Sequence, residues 1–302
     1  MLVFVAGGTG FIGPHLLKGF KEAGYQVKAL VRRPEKAERI PPGVEPVFGN
    51  PLLPGPWQEI CARADVVVNL VGANIFARWT TAYKKLIRET RLEATRNLVF
   101  CLKEGSVLLN ASAVGFYGAD RGEEEITEES RPGKDFLAQV CQAWEAEALA
   151  AQKKGARVCL MRFGIVLGRD GGALAKMLLP FRLGLGGPIG SGKQWFPWIH
   201  IKDLVMAALF LARQKELAGP FNFVAPGVVR NRDFVKILAR VLRRPAVFPV
   251  PTFVLRLLFG ELAHLLTGGV KARPKRLLEA GFGFAFPELE AALRDLLKKK
   301  RT

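Results

Sequence analysis

The sequence predicts an α/β fold, a doubly wound parallel sheet with a smaller, mostly helical C-terminal lobe. Three observations predict it. Short apolar runs alternate with longer helical patterns through the first half of the 302 residues, as parallel strands joined by crossover helices require. A glycine-dense turn follows the first apolar run at once, where such a sheet binds its ligands. After Gly164 the alternation loosens and helical patterns dominate.

The elements follow in order. Leu2–Ala6 reads as the first strand and Phe11–Ala23 as the first helix. Gln26–Val31, Glu45–Phe48 and Asp65–Leu70 read as the next three strands, the last around the run Val66-Val67-Val68. Ala82–Lys103 is a long helix, with Leu86, Leu92, Thr95, Leu98 and Val99 near helical spacing. Val107–Ala111 is a fifth strand, Asp135–Gln152 a helix and Arg157–Arg162 a sixth strand. The glycines at 184, 186, 187, 190 and 192 predict a flexible connection. Asp203–Ala212 reads as a helix capped by Asp203, Phe221–Val224 as a strand, and Asn231–Leu242 as a helix capped by Asn231. The tail from Pro251 is mostly helical. It closes on Lys298-Lys299-Lys300-Arg301, a frayed, solvated end.

Composition narrows the function classes. Hydrophobic residues make up 49% of the chain, enough for a sizeable core and too much for global disorder. The most apolar stretch, Pro251–Val270, carries Arg256, Glu261 and His264, so no segment reads as membrane-spanning. Met1–Ala6 is too short for a signal peptide. The four cysteines are widely spaced, without a C-x-x-C pair or a cysteine–histidine cluster, which predicts no metal and a reducing, cytoplasmic setting.

The formal net charge is +18, and it is uneven. Residues 1–150 balance 18 Lys+Arg against 18 Asp+Glu, whereas residues 151–302 hold 27 against 9. A basic half attracts an anionic substrate, a nucleic acid or an acidic membrane, and it also serves simply to solubilise. Arg230/Arg232, Arg243/Arg244 and Lys271–Arg276 come without an aromatic RNA-binding motif or recognition helix, so specific nucleic-acid binding is not expected.

The turn Gly7-Gly8-Thr9-Gly10-Phe11-Ile12-Gly13 satisfies G-x-G-x-x-G through Gly8, Gly10 and Gly13, and G-x-x-G-x-x-G through Gly7, Gly10 and Gly13. The first glycine permits a tight turn, the middle one lets backbone amides approach a pyrophosphate, and the last permits close helix–strand packing. The helix behind it directs its positive N-terminus at the phosphates. This context makes the sheet Rossmann-type and the ligand a dinucleotide. At the end of the second strand an acidic residue would hold the ribose hydroxyls of NAD. Arg32 and Arg33 stand there instead. A guanidinium pairs with a 2′-phosphate, which predicts NADP(H), with Arg32 the stronger candidate. Residues 1–165 are then an NADP-binding domain, to which elements from about 200–225 return. Residues 166–302 form a substrate-side region and the helical lobe.

With these residues, four later blocks resemble the extended short-chain dehydrogenase/reductase superfamily, within it the epimerase-like branch called family 39U. They are Asn69–Ile75, Ala111–Gly118, Arg162–Gly168 and the long block Met177–Asp203, which includes Phe196-Pro197-Trp198-Ile199-His200-Ile201. The resemblance implies that Leu70, Val71 and Gly72 line the adenosine half of the cofactor, that Arg91 lies near it, and that Val166 packs at the nicotinamide end. Core packing alone would also account for Leu70 and Val166.

Most members of the superfamily use a serine or threonine with Tyr-x-x-x-Lys. If Glu145 matches the glutamate found farther along that helix, the tyrosine and lysine positions hold Leu137 and Cys141. Leu137 has no titratable proton and Cys141 no positive charge. Ser112 survives at the serine position, and Tyr117 is the other catalytic candidate, although it also matches a structural Tyr-Gly pair in related proteins. Two functions follow, alongside a third reading as a basic surface protein that contacts membrane or nucleic acid. One is an NADP(H)-dependent oxidoreductase or epimerase-like enzyme acting on a small molecule, with the basic half suiting a phosphorylated or nucleotide-linked one. The other is a regulatory or scaffold protein that holds NADP(H) without turnover. Neither substrate nor oligomeric state is written in these motifs.

Two other motifs drop out. Gly187–Gln194 nearly matches an ATPase phosphate loop, but Gln194 offers magnesium no hydroxyl. It reads instead as a substrate-side loop, with Lys193 for an anionic group and Trp195 and Trp198 either walling a pocket or packing in the core or lid. His200 and Asp203 lack the neighbours a metal needs.

Overall fold

A computed structural model describes residues 1–298; the basic end at 299–301 lies outside them. The first half runs β1 (Leu2–Ala6), α1 (Gly13–Glu22), β2 (Gln26–Val31), β3 (Glu45–Phe48), α2 (Trp57–Ala62), β4 (Val66–Asn69), α3 (Thr81–Cys101) and β5 (Val107–Ala113). It continues through β6 (Asp120–Ile126), α4 (Phe136–Leu149) and β7 (Arg157–Phe163). The second half adds β8 (Ile165–Leu167), α5 (Gly172–Arg182), β9 (Trp195–Phe196), β10 (Trp198–His200), α6 (Ile201–Arg213) and β11 (Gly219–Phe223). It ends with β12 (Val229–Arg230), α7 (Asn231–Leu242), α8 (Thr252–Phe259), α9 (Leu262–Thr267), β13 (Gly269–Ala272), α10 (Lys275–Glu279) and α11 (Leu289–Leu297).

Seven parallel strands form the central sheet in the order β11-β7-β5-β4-β1-β2-β3. The strand order reverses between β1 and β4, which opens a crevice at their carboxyl ends. Alternate residues of β1 feed opposite faces, as a strand buried on both sides must. Val3 and Val5 pack with Leu16, Leu17 and Phe20 of α1 and with Leu204 and Ala208 of α6. Phe4 and Ala6 pack on the other side with Trp57, Cys61, Leu98 and Ala148. A third core belongs to the lobe, where Leu178 and Phe181 of α5 meet Phe234 and Leu238 of α7 and Leu293 of α11.

Three expectations need correction. Asp203 does not cap α6: His200 does, through Nδ1 accepting from the Lys202 N–H at 3.0 Å. The Asp203 carboxylate instead accepts from the Ala285 and Phe286 N–H groups at 2.8 and 3.0 Å, pinning the approach to α11. Asn231 does not cap α7 either; its Oδ1 accepts from the Ile189 N–H at 2.9 Å. The glycines of 184–192 serve close approach more than flexibility. Val250 N–H donates to Pro188 O at 2.9 Å and Gly190 N–H to Val250 O at 2.9 Å, and a Cβ on Gly187 would lie 1.9 Å from Phe248 O.

Two predictions arise here. Arg243 ends α7 in the left-handed region at φ 54, where glycine costs nothing sterically. Arg243→Gly should leave stability unchanged or raise it by up to ~1 kcal/mol, read from the urea midpoint. His200 is fully buried and stacked on Phe286 at 4.0 Å, with Nε2 lacking an aligned hydrogen-bond partner although Asp295 Oδ2 is 3.4 Å away. Burial pushes its pKa down from 6.5 to about 4. The unfolded chain therefore takes up a proton first as pH falls. The stability this neutral ring contributes is present above pH ~6.5 and lost between there and pH ~4, about 2–3 kcal/mol by the lower end. Urea midpoints at the two pH values, wild type against His200→Gln, check it: the variant should lose less.

Candidate functional site

The predicted cofactor residues meet at the carboxyl edge of the sheet. Gly7 follows β1 with φ +83, and a Cβ there would lie 2.8 Å from Leu70 C. A Cβ on Gly13 would lie 2.2 Å from Gly8 O, so the start of α1 presses directly on the turn. Gly10 differs: its N–H donates to Gly7 O at 3.2 Å, and a Cβ would meet nothing closer than Gly7 O at 3.5 Å. The space beside Gly10 is open, as a cradle for a pyrophosphate needs. Helix α1 starts at Gly13, two residues later than its sequence pattern suggested, which leaves Phe11 and Ile12 in the turn. Thr9 turns its carbonyl toward Arg39 Nη1 at 3.4 Å. Phe11 lies under the loop after β8, where a Cβ on Gly168, Gly171 or Gly172 would strike its ring within 2.7 Å. His15 Nε2 holds the same loop through Asp170 Oδ2 at 3.0 Å. Ile12 and Val166 both touch the sheet core and the lobe core, so they sit on the seam of the crevice.

Arg32 and Arg33 follow the last residue of β2 and are exposed. Arg39, which sequence reasoning missed, brings a third guanidinium to this rim. Leu70 and Val71 follow β4, half-buried, with Leu70 N–H on Ala6 O at 2.9 Å. Gly72 is exposed, and a Cβ there would lie 2.8 Å from Arg91 Cζ. Glycine thus lets the Arg91 guanidinium lie flat against the backbone. Arg91 Nη1 donates to Ala73 O at 3.2 Å and Ile87 O at 2.9 Å, and Cζ sits 5.1 Å from the Trp144 ring centre. Burial pushes its pKa down, and no carboxylate pairs with it among the described residues. A desolvated cation without an anion is costly to keep. A desolvated, charge-perturbed group of this kind is a candidate binding-site residue.

The catalytic candidates sit deeper. Ser112, near the end of β5, is 2% exposed and donates through Oγ to Glu145 Oε1 at 2.6 Å. Glu145 takes two more bonds from Arg162, Nε to Oε1 and Nη2 to Oε2, both 2.8 Å. Arg162 Nη1 donates to the Tyr117 hydroxyl at 2.9 Å, and that hydroxyl donates to Asn222 Oδ1 at 2.7 Å. Tyr117 has no exposed surface, and burial pushes its pKa up to about 12. Its proton is committed to Asn222 inside the protein, a structural position. Leu137 is half-buried, and Cys141 is buried against Ser112, with its thiol pushed up to about 12 by burial. The Glu145–Arg162 pair that anchors this network went unrecognised in the sequence. An arginine amid the apolar run of β7 was its one signal.

Trp195 and Trp198 divide between the two expectations, pocket wall and core. Trp198 is fully buried and donates to Gly227 O at 2.8 Å, so it is core. Trp195 lines a separate pocket of about 410 Å³ with Lys193, Arg230 and Arg232 and the carboxylates Asp120 and Glu123. Arg230 stacks on its ring at 4.3 Å.

Residues 3–224 match the NAD dependent epimerase/dehydratase family, and residues 250–296 match a domain of unknown function, DUF1731. The chain is 39% identical to the mouse epimerase family protein SDR39U1, covering 98% of this chain and all of that one. It is also 39% identical to the chloroplastic SDR39U1 homolog of Arabidopsis thaliana, over 99% of this chain and 87% of that protein. The crystal structure of human SDR39U1 (isoform2) with NADPH superposes with a TM-score of 0.87 at 36% identity, covering 98% of this chain and 99% of that one.

Proposed function

Since this chain belongs to the NAD dependent epimerase/dehydratase family, we propose that it binds NADP(H) and acts as an oxidoreductase or epimerase-like enzyme on a small, anionic molecule. The observation that carries the reading is the pairing of an open glycine cradle with an unpaired cation. Gly10 faces free space, and Arg91 packs on Gly72, two residues past the Leu70 backbone that packs on Gly7. Backbone amides of residues 10–13 and the Arg91 guanidinium would take the diphosphate. Arg32, Arg33 and Arg39 would take the 2′-phosphate, and Leu70, Val71 and Val166 would wall the rings. Once bound, the dinucleotide supplies hydride exchange at its nicotinamide. Human SDR39U1 with NADPH is a full-length relative that supports this choice of cofactor.

The chain's own share in the chemistry is small. Ser112 already gives its proton to Glu145, so toward a substrate hydroxyl it acts as acceptor. Glu145 keeps that serine oriented. A phosphorylated or nucleotide-linked substrate fits the cationic side chains of the second half, of which Lys193 and Arg232 stand beside Trp195. Four free cysteines suit a reducing compartment, the cytoplasm.

Titration calorimetry with NADPH and NADH tests the binding. Arg32→Ala/Arg33→Ala should weaken NADPH about 10–100-fold, from the loss of charge-assisted bonds, and NADH far less. Turnover across sugar nucleotides and carbonyl compounds, with and without Ser112→Ala, tests the enzyme. A second reading has its own observation: Leu137 and Cys141 leave no proton donor at the two usual positions. On that reading the protein holds NADP(H) to bind a partner. Tight cofactor binding, no turnover above background and a cofactor-dependent partner would establish it instead.

A further inference from the structure

Several large apolar side chains of the lobe are uncovered. Leu183, Leu185, Val247, Phe248, Phe253 and Leu257 are each more than half exposed. The two straps that carry the first four are hydrogen-bonded together. Phe248 N–H donates to Gly186 O at 3.1 Å, Val250 N–H to Pro188 O at 2.9 Å, and Pro245 Cγ sits 3.4 Å from where a Gly184 Cβ would be. Helix α8 begins two residues after Val250 and adds Phe253 and Leu257. Scattered exposed apolar residues are ordinary, whereas a contiguous patch marks an interface.

Positive charge predominates around this face. Neither residues 171–202 nor residues 234–260 contain an aspartate or glutamate, and between them they carry nine Lys and Arg. Arg182, Arg243, Arg244 and Arg256 are exposed around the patch. Beside it is an open recess of about 540 Å³ lined by Lys236, Arg240, Arg243 and Arg244 with Pro245 and Ala246. Arg240 alone of these has a carboxylate partner among the described residues, Glu290 at 3.0 Å.

We propose that this face docks on an anionic lipid bilayer, with Phe248, Phe253 and Leu257 entering the headgroup–acyl boundary and the recess receiving lipid phosphates. Charge complementarity selects the occupant. A second copy would bring the same positive charge against itself. A nucleic acid would match the cations and leave the large apolar side chains in water. Anionic lipid satisfies both, since apolar burial and attraction of basic residues to the surface add. No helix among the described residues is long and apolar enough to span a membrane, so the attachment is peripheral and salt-sensitive. It is independent of the cofactor reading.

Co-sedimentation of the full chain with sucrose-loaded vesicles tests it, comparing phosphatidylcholine alone with phosphatidylcholine plus phosphatidylserine. The protein should pellet with the phosphatidylserine vesicles, stay in solution with the neutral ones, and release as salt rises. Arg243→Glu/Arg244→Glu and, separately, Phe253→Ser/Leu257→Ser should each weaken the association at least ~10-fold. All these residues are exposed, and an unchanged melting temperature would verify that the variants fold. Equal behaviour with both vesicle types overturns the proposal, as does full association by either double variant. Polyglutamate binding as tight as vesicle binding, and untouched by Phe253→Ser/Leu257→Ser, would overturn it in favour of an acidic protein partner.

Discussion

Gly10→Ala is expected to weaken NADPH binding at least ~100-fold, about 3 kcal/mol, while leaving the melting temperature within a degree or two. Gly13→Ala is expected to lose the same affinity and much of the stability as well. The two glycines look equivalent in the motif, but the structure separates them. A methyl on Gly10 meets only Gly7 O, at an ordinary 3.5 Å, so the protein can carry it. It would then project into the space the diphosphate needs. A methyl on Gly13 lies 2.2 Å from Gly8 O and 2.3 Å from Gly8 C. Both are backbone atoms of the turn, with no flexible side chain to yield. The start of α1 would have to lift away from β1, disturbing the core around Leu16 and Leu17. Calorimetry against NADPH and a thermal melt on each variant read the two effects apart. Retained affinity in Gly10→Ala would remove the cradle, and the cofactor with it.

That contrast shows what was legible in the sequence. The motif announces a turn of glycines because each physical demand there is local: a positive φ, a close approach, a helix start. The central strands were legible for a related reason. Val66-Val67-Val68 is buried on both faces, so it is a continuous apolar run between polar neighbours. β6 was missed because Asp120–Ile126 is mostly charged and exposed, and it becomes a strand only by pairing with β13, well over 100 residues later. Asp203 illustrates the same limit. A carboxylate at a helix start reads as a cap, but its partners, the N–H groups of 285 and 286, lie on a segment that folds back from far along the chain. In the site, the glycine turn and the two arginines after β2 were readable from spacing, whereas Leu70, Val71, Gly72, Arg91 and Val166 were proposed from the family resemblance. The state of Ser112 was not readable, because its hydrogen bond to Glu145 joins a strand end to a helix interior.

Arg162→Met is expected to cost about 3–5 kcal/mol, the range for removing one partner of a buried ion pair, and to lower the melting temperature by roughly 10 °C. Arg162 and Glu145 have side chains only 5% and 6% exposed, so water screens neither. The guanidinium makes two parallel bonds to the carboxylate and stacks 3.6 Å from the Phe116 ring centre. Removing it leaves Glu145 charged, buried and held by Ser112 alone, and it frees the Tyr117 hydroxyl of a donor. The double variant Arg162→Met/Glu145→Leu removes the stranded charge along with its partner. It should recover most of the loss, because an apolar pair of similar volume often replaces a buried ion pair without penalty. Urea unfolding of the four proteins in a double-mutant cycle measures the coupling directly. A single-variant cost under ~1 kcal/mol, the range of an exposed pair, would mean that the network is not what holds β5, β7 and α4 in register. The position of Ser112 would then have to be set by the apolar packing of β5 between its neighbours, with Glu145 a bystander.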